Sequence, residues 1–589
     1  MSLPVYPFDA DRCIGTVIEV SGTMARVNLP HAAAPGSRWH HGFKLEAGRV
    51  GEFVVIEAAD TAVFGRVTAV RLPERERLSV EEEFGTRNEV HPIGIVHMMA
   101  SASLVTGRIE PGVPNHPRLA ARCFSAHPEL VKWLAEHSKF LDKPSEAKLL
   151  DLAVLPFAPD TQIRLAPESL FGRHCAILGA TGGGKSWTVA RIVEQAGKHR
   201  SKILLVDPTG EYHRTNGAHV VHAHVNKDEE APEGSVEVAL PHKHLNEEDF
   251  FALFLPSPQS QAPRLRAAIK SLKVAHWVAQ SSDEAAKKKR TDLPWTELAK
   301  LAAWCEDGVL NKAGKKRNLF EGVLRALGDR LDKTGTEFDA SLLAGQVNAE
   351  CFQPTNFSDG SVYGNLDQKE QGFCTTLILR IEQLVASGDH ACLFRAAEKT
   401  DIITTLRSFL NDDTKSVLVL SLKNLSFSHG VREVLVNAIG RTLLLVARQK
   451  HFIKRPLVVV LDEAHQFIGK TRGDDFSKFP LDSFELIAKE GRKYGLTICL
   501  AIQRPRDIGQ GILSQMGTFL VHRLTNPEDR EMVEKAAGDL DRSAASFIPT
   551  LSAGQAVLIG IDFPIPVTLQ IQPPLWPPES TGPKYQDSW

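Results

Sequence analysis

Apolar positions along this chain fall into three regimes. Over roughly the first hundred residues they come in short runs with glycines between them. "CIGTVIEVSGTMARVNL" alternates around the turn signal Ser21-Gly22, and "GRVGEFVVIEA" and "AVFGRVTAVRL" repeat the habit. Short strands punctuated by glycine predict a small β-barrel. "HPELVKWLAEHSKFL", at about 127–141, then has helical spacing. From Cys175 the second regime begins. "HCAILGA", "KILLVD" (202–207), "SVLVLSL" (416–422), "PLVVVLD" (456–462) and "LTICLAIQ" (496–503) are unbroken apolar runs. Such runs suit strands buried on both faces of a parallel sheet. Helical segments such as "SWTVARIVEQAGKH" separate several of them, so an α/β core is expected. The third regime lies between about 245 and 405, where the strand signal fades. "PRLRAAIKSLKVAHWVAQ", "PWTELAKLAAWCEDGVL" and "LFEGVLRALGDRLDK" read as amphipathic helices of an insertion that interrupts the sheet.

These regimes divide the chain into a barrel over 1–115, a first core part over 116–245, a helical insertion over 246–404, a second core part over 405–572 and a tail over 573–589. The tail, "PPLWPPESTGPKYQDSW", is proline-rich and polar, and an extended conformation is expected for it. The length of 589 residues agrees with two to four domains. The net charge of −2 means that any contact with nucleic acid must come from local patches. Short basic runs that could supply one are "KKKR" (287–290), "KKR" (315–317) and "RPR" (504–506). Eight cysteines are scattered with no CxxC pair, so neither a zinc site nor a disulfide framework is indicated, and reduced thiols in a cytoplasmic protein are expected. The N-terminus lacks a basic stretch leading into an apolar run, so no signal peptide is expected. No segment approaches the ~18 apolar residues of a membrane span.

The chemistry begins at the second regime's first strand. Gly179, Gly184, Lys185 and Ser186 fit GxxxxGK[ST] between a predicted strand and a predicted helix, the context that this phosphate-binding loop requires. Glycines let backbone N–H groups turn inward around phosphate oxygens where a Cβ would obstruct. The helix adds the positive end of its dipole. The whole segment Gly179, Ala180, Thr181, Gly182, Gly183, Gly184, Lys185, Ser186 and Trp187 is therefore the candidate ATP-binding loop. Lys185 should reach the β- and γ-phosphates and Ser186 should ligate Mg²⁺. "PLVVVLDEAH" supplies the metal-side carboxylate: Asp462 at a strand's end can hold Mg²⁺ through water, and Glu463 can polarise the attacking water. Gln503 ends the next apolar run, and a parallel neighbour would bring its amide near the γ-phosphate, where it could act as a sensor. Asp207 and Glu211 of "DPTGEYH" lie at another strand's C-terminal end, where open α/β sheets bind ligands, although Asp-Pro with Gly210 also makes a turn.

"GATGGGKS", "VDPTGEY", "VLDEAHQF", "KEGRKYG", "AIQRPRDI" and "HRLTNPEDR", in this order, resemble the HerA–FtsK class of P-loop ATPases, and HerA in particular. The β-rich N-terminus is similar to its HAS-barrel. The likeness covers barrel and core and is weak over the insertion. It implies a RecA-like core in a ring of six subunits, each ATP completed by a neighbour's arginine, for which Arg492 and then Arg173 are the candidates and Arg523 a further one. It also implies double-stranded DNA threaded through the ring, with a nuclease or sirtuin-like effector as partner, plausibly in anti-phage defence. In one form of this expectation the ring is a DNA translocase. In the other it is a scaffold whose ATP gates the effector. "LSAGQ" (551–555) resembles an ABC-transporter signature, but it lies downstream of the Asp-Glu strand and runs into an apolar strand instead of opening a helix.

Overall fold

The computed structural model describes residues 3–579, apart from 33–37, 41–42, 46–47, 74–90, 138–146, 292, 397, 475–476 and 539–541. The tail beyond Glu579 and most of "KFLDKPSEA" lie outside the described residues.

The N-terminal strands close on themselves. In order around the sheet, Met24–Asn28 pairs with Cys13–Val20, then Arg122–Ser125, Phe53–Ala58, Thr61–Arg71 and Ile93–Ser103, which returns to Met24–Asn28. All of these pairings are antiparallel. Closure removes the free edges that an open sheet of this size would expose. One boundary shifts from the sequence expectation. The barrel does not stop at residue 115, because Arg122–Ser125 is the stave between Cys13–Val20 and Phe53–Ala58. At four residues this strand is too short to show a period of two, so it was invisible to pattern reading. The helix that follows spans Pro128–Glu136, with His127 accepting at its N-cap from the Glu129 N–H.

A second sheet of thirteen strands holds the core. Its centre is parallel, in the order Met516–Val521, His174–Leu178, Leu496–Ile502, Leu457–Leu461, Lys202–Asp207, Val417–Ser421, Val220–Val225 and Val236–Ala239. Strands in the middle of this series are buried at every position, which is why they read as continuous apolar runs. At one side, Gln555–Gly560, Val567–Ile571, Leu150–Leu155 and Ala158–Leu165 add antiparallel strands. Each face carries its own apolar cluster: one around Leu204, Val206 and Val459, the other around Leu205, Val460 and Ile177. Successive residues of one strand thus serve opposite cores.

The chain leaves the sheet after Val236–Ala239 and returns at Thr400–Asp401, which pairs beside it. Between them run the helices Glu247–Phe254, Gln261–Gln280, Arg317–Leu327, Leu343–Ala349 and Gln368–Ala386, with shorter ones, and a small hairpin of Cys305–Glu306 with Val309–Leu310. The outer part has a core of its own, built on Trp277, Leu298, Trp304, Phe320 and Val323. The inner part shares the main core through Leu265, Ala268 and Leu377. All eight cysteines are free. Among the described residues no helix is long and apolar enough to cross a membrane.

Leu204 is fully buried in the central strand, whereas Phe357 in the insertion is 96% exposed. Leu204→Ala should therefore destabilise the core by about 3 kcal/mol. Phe357→Ala should leave the denaturant midpoint of the same transition unchanged.

Candidate functional site

Parallel neighbours end at the same edge of a sheet, and here that edge collects the candidate chemistry. His174–Leu178 delivers the loop from Gly179 to Gly184, and Lys185 opens the helix Lys185–Gly197. The loop needs its glycines for two different reasons. Gly184 has φ +107°, in the left-handed region that favours glycine. At Gly179 a Cβ would stand 2.7 Å from the His522 Cβ. His522 is the floor of the loop. Its Nε2 lies 2.8 Å from Thr188 Oγ1, and its Nδ1 lies 2.8 Å from the Gln555 carbonyl. Burial pushes the ring down to about 4, so it is neutral at physiological pH.

Leu457–Leu461 ends two strands away from the loop and presents Asp462 and Glu463. Glu463 takes φ 45°, a left-handed conformation uncommon for a non-glycine residue, and its Oε1 forms a short ion pair with Lys185 Nζ. The same ammonium lies 3.7 Å from Asp462 Oδ1. His465 Nδ1 stands 3.2 Å from the other Glu463 oxygen. Burial alone would raise the Glu463 carboxyl, but His465 and Lys185 outweigh it and hold the group below its ordinary value. Asp462 is fully enclosed, and burial raises it despite Lys185. The Tyr212 hydroxyl donates to Asp462 Oδ2 at 3.0 Å.

Gln503, at the end of the intervening strand, donates from its amide to Thr181 Oγ1 within the loop. Lys185, Ser186, Glu463, Gln503 and Trp187 thus line one cleft of about 670 Å³ with Thr181, Gly182 and Gly184. The other two sequence candidates lie elsewhere. Arg173 precedes His174–Leu178 and pairs with Asp562, its Nε 3.4 Å from Oδ2. Arg492 is exposed in the turn Gly491–Tyr494 just before Leu496–Ile502. Both stand where strands begin, about 15–20 Å of strand from where they end. Among the described residues that line the cleft, none is an arginine. Arg523 is nearer: its carbonyl accepts from Ala180 N at 3.1 Å, but its side chain is exposed.

Three contributions escape sequence reading. Gln570, Ile571, Gln572 and Pro573, from the end of an antiparallel strand, wall the far end of the cleft. "LSAGQ" is no ABC signature, yet it lies against the loop, because Gly554 N–H donates to Gly183 O at 3.2 Å. The described part of the tail folds back on this chain, with Glu579 reaching Arg214 at 2.7 Å and His213 at 3.1 Å. The "GQ" pair was visible, but nothing in it signals which loop it would meet. Asp207 takes the structural role its spacing allowed: its carboxylate accepts from the N–H groups of Thr209, Gly210, Glu211 and Tyr212. Of the basic runs, Arg317 pairs with Glu321 and Arg506 with Glu528.

A glycine-rich loop at a strand's end, a lysine at a helix start and an acidic pair at the next strand but one define a RecA-like P-loop ATPase. Residues 155–347 match the family model described as the helicase HerA central domain. The probable DNA double-strand break repair helicase HerA of Methanocaldococcus jannaschii is 22% identical over 429 residues, 72% of this chain and 76% of that protein. HerA of Pyrococcus furiosus is 23% identical over 439 residues, 72% and 69% of the two chains. The probable helicase MJ1565 of M. jannaschii is 21% identical over 544 residues, 89% and 86%. Among solved structures, the bacterial conjugative coupling protein TrwBdeltaN70 aligns with a TM-score of 0.43 at 15% identity, covering 77% of this chain and 94% of that one. Within the class that the fold and cleft define, this chain is similar to the HerA helicases.

The donors around Ser186 suit a hard cation. They are a hydroxyl and carboxylate oxygens, and Glu211 Oε2 is buried without a partner. Among the described residues, no group of three or more His, Cys, Asp or Glu side chains could hold a metal ion by itself. A cation here would therefore arrive with phosphate and water, as Mg²⁺ commonly does.

The buried neutral His522 gives a pH test. Its folded value lies below the ~6.5 of an unfolded histidine, so the stability it contributes is present above about 6.5 and is lost as pH falls toward about 4. Between pH 7.5 and 5.5, wild type should lose about 1 kcal/mol more than His522→Gln, measured by denaturant unfolding at both pH values.

Proposed function

We propose that this chain is a cytoplasmic subunit of a six-membered ring that hydrolyses ATP to move along double-stranded DNA, with each cleft completed by an arginine of the next subunit. The observation that carries this reading is the separation within one chain. Lys185, Ser186, Asp462, Glu463 and Gln503 are gathered at one sheet edge, while Arg492 and Arg173 stand at the other. Arginine near the γ-phosphoryl group stabilises charge that builds there. A copy docked with its strand-start edge against the cleft would supply it. Arg492 is the first candidate because it is exposed and outside any described ion pair, whereas Arg173 is engaged with Asp562.

The mechanism follows from the ion pair. Without a phosphate, the Lys185 ammonium is spent on Glu463. An incoming triphosphate takes Lys185 onto its β- and γ-oxygens and releases the Glu463 carboxylate. That carboxylate, with His465 Nδ1 3.2 Å from its second oxygen, then accepts a proton from the attacking water. Gln503 leaves Thr181 to hydrogen-bond the γ-phosphate and report its loss. Tyr212 holds Asp462 in one rotamer. Mg²⁺, when bound with the nucleotide by Ser186 and Asp462, would neutralise charge on the phosphates. DNA as the track is supported by the HerA relatives, which are named as DNA double-strand break repair helicases.

One feature favours a second reading. The insertion has its own core and turns Phe357, Phe373 and Leu379 to solvent, which suits a docking surface. In that reading the ring is a scaffold, and ATP gates a nuclease or sirtuin-like effector in anti-phage defence. DNA separates the two. Translocation requires ATPase activity stimulated by duplex DNA and weakened by salt. Gating requires DNA-independent turnover that alters the effector's rate.

Glu463→Gln should bind ATP about as tightly as wild type while lowering kcat by at least about 10²-fold, read by nucleotide binding and phosphate release. Arg492→Ala should keep nucleotide affinity and lose about 10³-fold in kcat. Mixing it with Lys185→Ala subunits should restore activity, because one partner supplies the loop and the other the arginine. Failure of mixing to restore any turnover would remove the shared-site assignment.

A further inference from the structure

The turn after Lys202–Asp207 is built with more care than a connection needs. Asp207 is completely buried and spends both carboxylate oxygens on four successive N–H groups of the turn. Glu579 ties the turn from outside: its N–H donates to the Glu211 carbonyl at 2.9 Å, and its carboxylate pairs with His213 and Arg214. A turn fixed at both ends holds its side chains in fixed directions. Tyr212 points inward and donates to Asp462. Glu211 lines the nucleotide cleft together with Ser186 and Lys185. Its Oε2 is shut off from solvent and has no partner. A carboxylate oxygen held out of water with nothing to accept is costly unless a cation or donor arrives.

We propose that Glu211 is a third carboxylate of the cation side of this site, binding together with Ser186 and Asp462 the divalent ion that accompanies the nucleotide. The inference rests on the ATPase reading above and adds a residue to it. Three features converge on this role: the cleft shared with Ser186, the unpaired buried oxygen and the clamped turn. Because the described acidic residues cannot hold an ion unaided, Glu211 acts on a cation already bound to phosphate, directly or through one of its waters. The clamp by Glu579 makes the tail a positioning element for the same oxygen.

The test compares wild type, Glu211→Gln and Glu211→Asp in binding a fluorescent ADP analogue, first in EDTA and then across a magnesium titration. Mn²⁺ bound in the presence of ADP is counted by electron paramagnetic resonance. Glutamine keeps the size and an acceptor oxygen but removes the charge. It should match wild type in EDTA, raise the half-saturating magnesium concentration about tenfold and weaken Mn²⁺ uptake to a similar degree. Aspartate, which keeps the charge, should fall between. An unchanged magnesium midpoint in Glu211→Gln overturns the proposal. So does an equal loss in EDTA, which would mark a purely structural role. If wild type itself binds no adenine nucleotide, the ATPase reading fails first, and the two failures are distinguishable.

Discussion

The parallel hydrogen bonding of His174–Leu178 between Met516–Val521 and Leu496–Ile502 is the constraint on which the cleft depends. In that register Leu178 faces Ile502 on one side and Val521 on the other. The residues that follow each strand, Gly179, Gln503 and His522, are therefore forced to one place. The glycine loop then lies on His522, Gln503 touches Thr181, and Leu457–Leu461 brings Asp462 and Glu463 under Lys185. A one-residue slip in any of these pairings would exchange residues between the two cores and draw Gly179, Gln503 and His522 apart.

Around this edge one buried cation stands between two carboxylates. Lys185 is nearly buried among Asp462 and Glu463. Buried ion pairs repay their desolvation only when the geometry is good. Glu463 meets the Lys185 ammonium from a left-handed backbone conformation uncommon for a residue with a side chain. Arg492 stands apart from the cleft, so it adds no like charge beside Lys185. Asp207, Tyr212 and Glu579 tie Asp462 to the described end of the tail.

The barrel and the insertion are built by different rules from the core. The barrel solves its edge problem by closure, and the short stave Arg122–Ser125 completes it. The insertion enters and leaves the sheet through neighbouring strands, Val236–Ala239 and Thr400–Asp401. A large helical body can therefore be added there without breaking the order of the parallel centre.

Local chemistry was legible in the sequence wherever one short segment carries its own physical reason. The glycines before Lys185 announce a phosphate loop, and the apolar runs ending in Asp462 and Gln503 announce buried parallel strands. Burial on both faces leaves no polar positions to confuse them. The insertion showed itself through helical spacing. Tertiary structure alone decided what meets across long separations. His522 lies beneath Gly179, Gly554 rests on Gly183, Gln570 and Gln572 wall the cleft, and Glu579 grips the turn at Glu211. It also decided that Arg122–Ser125 belongs to the barrel. These contacts join residues hundreds of positions apart through single hydrogen bonds or close approaches, which leave no periodic trace in the chain. Strand order and register create them, and both emerge only when the whole sheet forms.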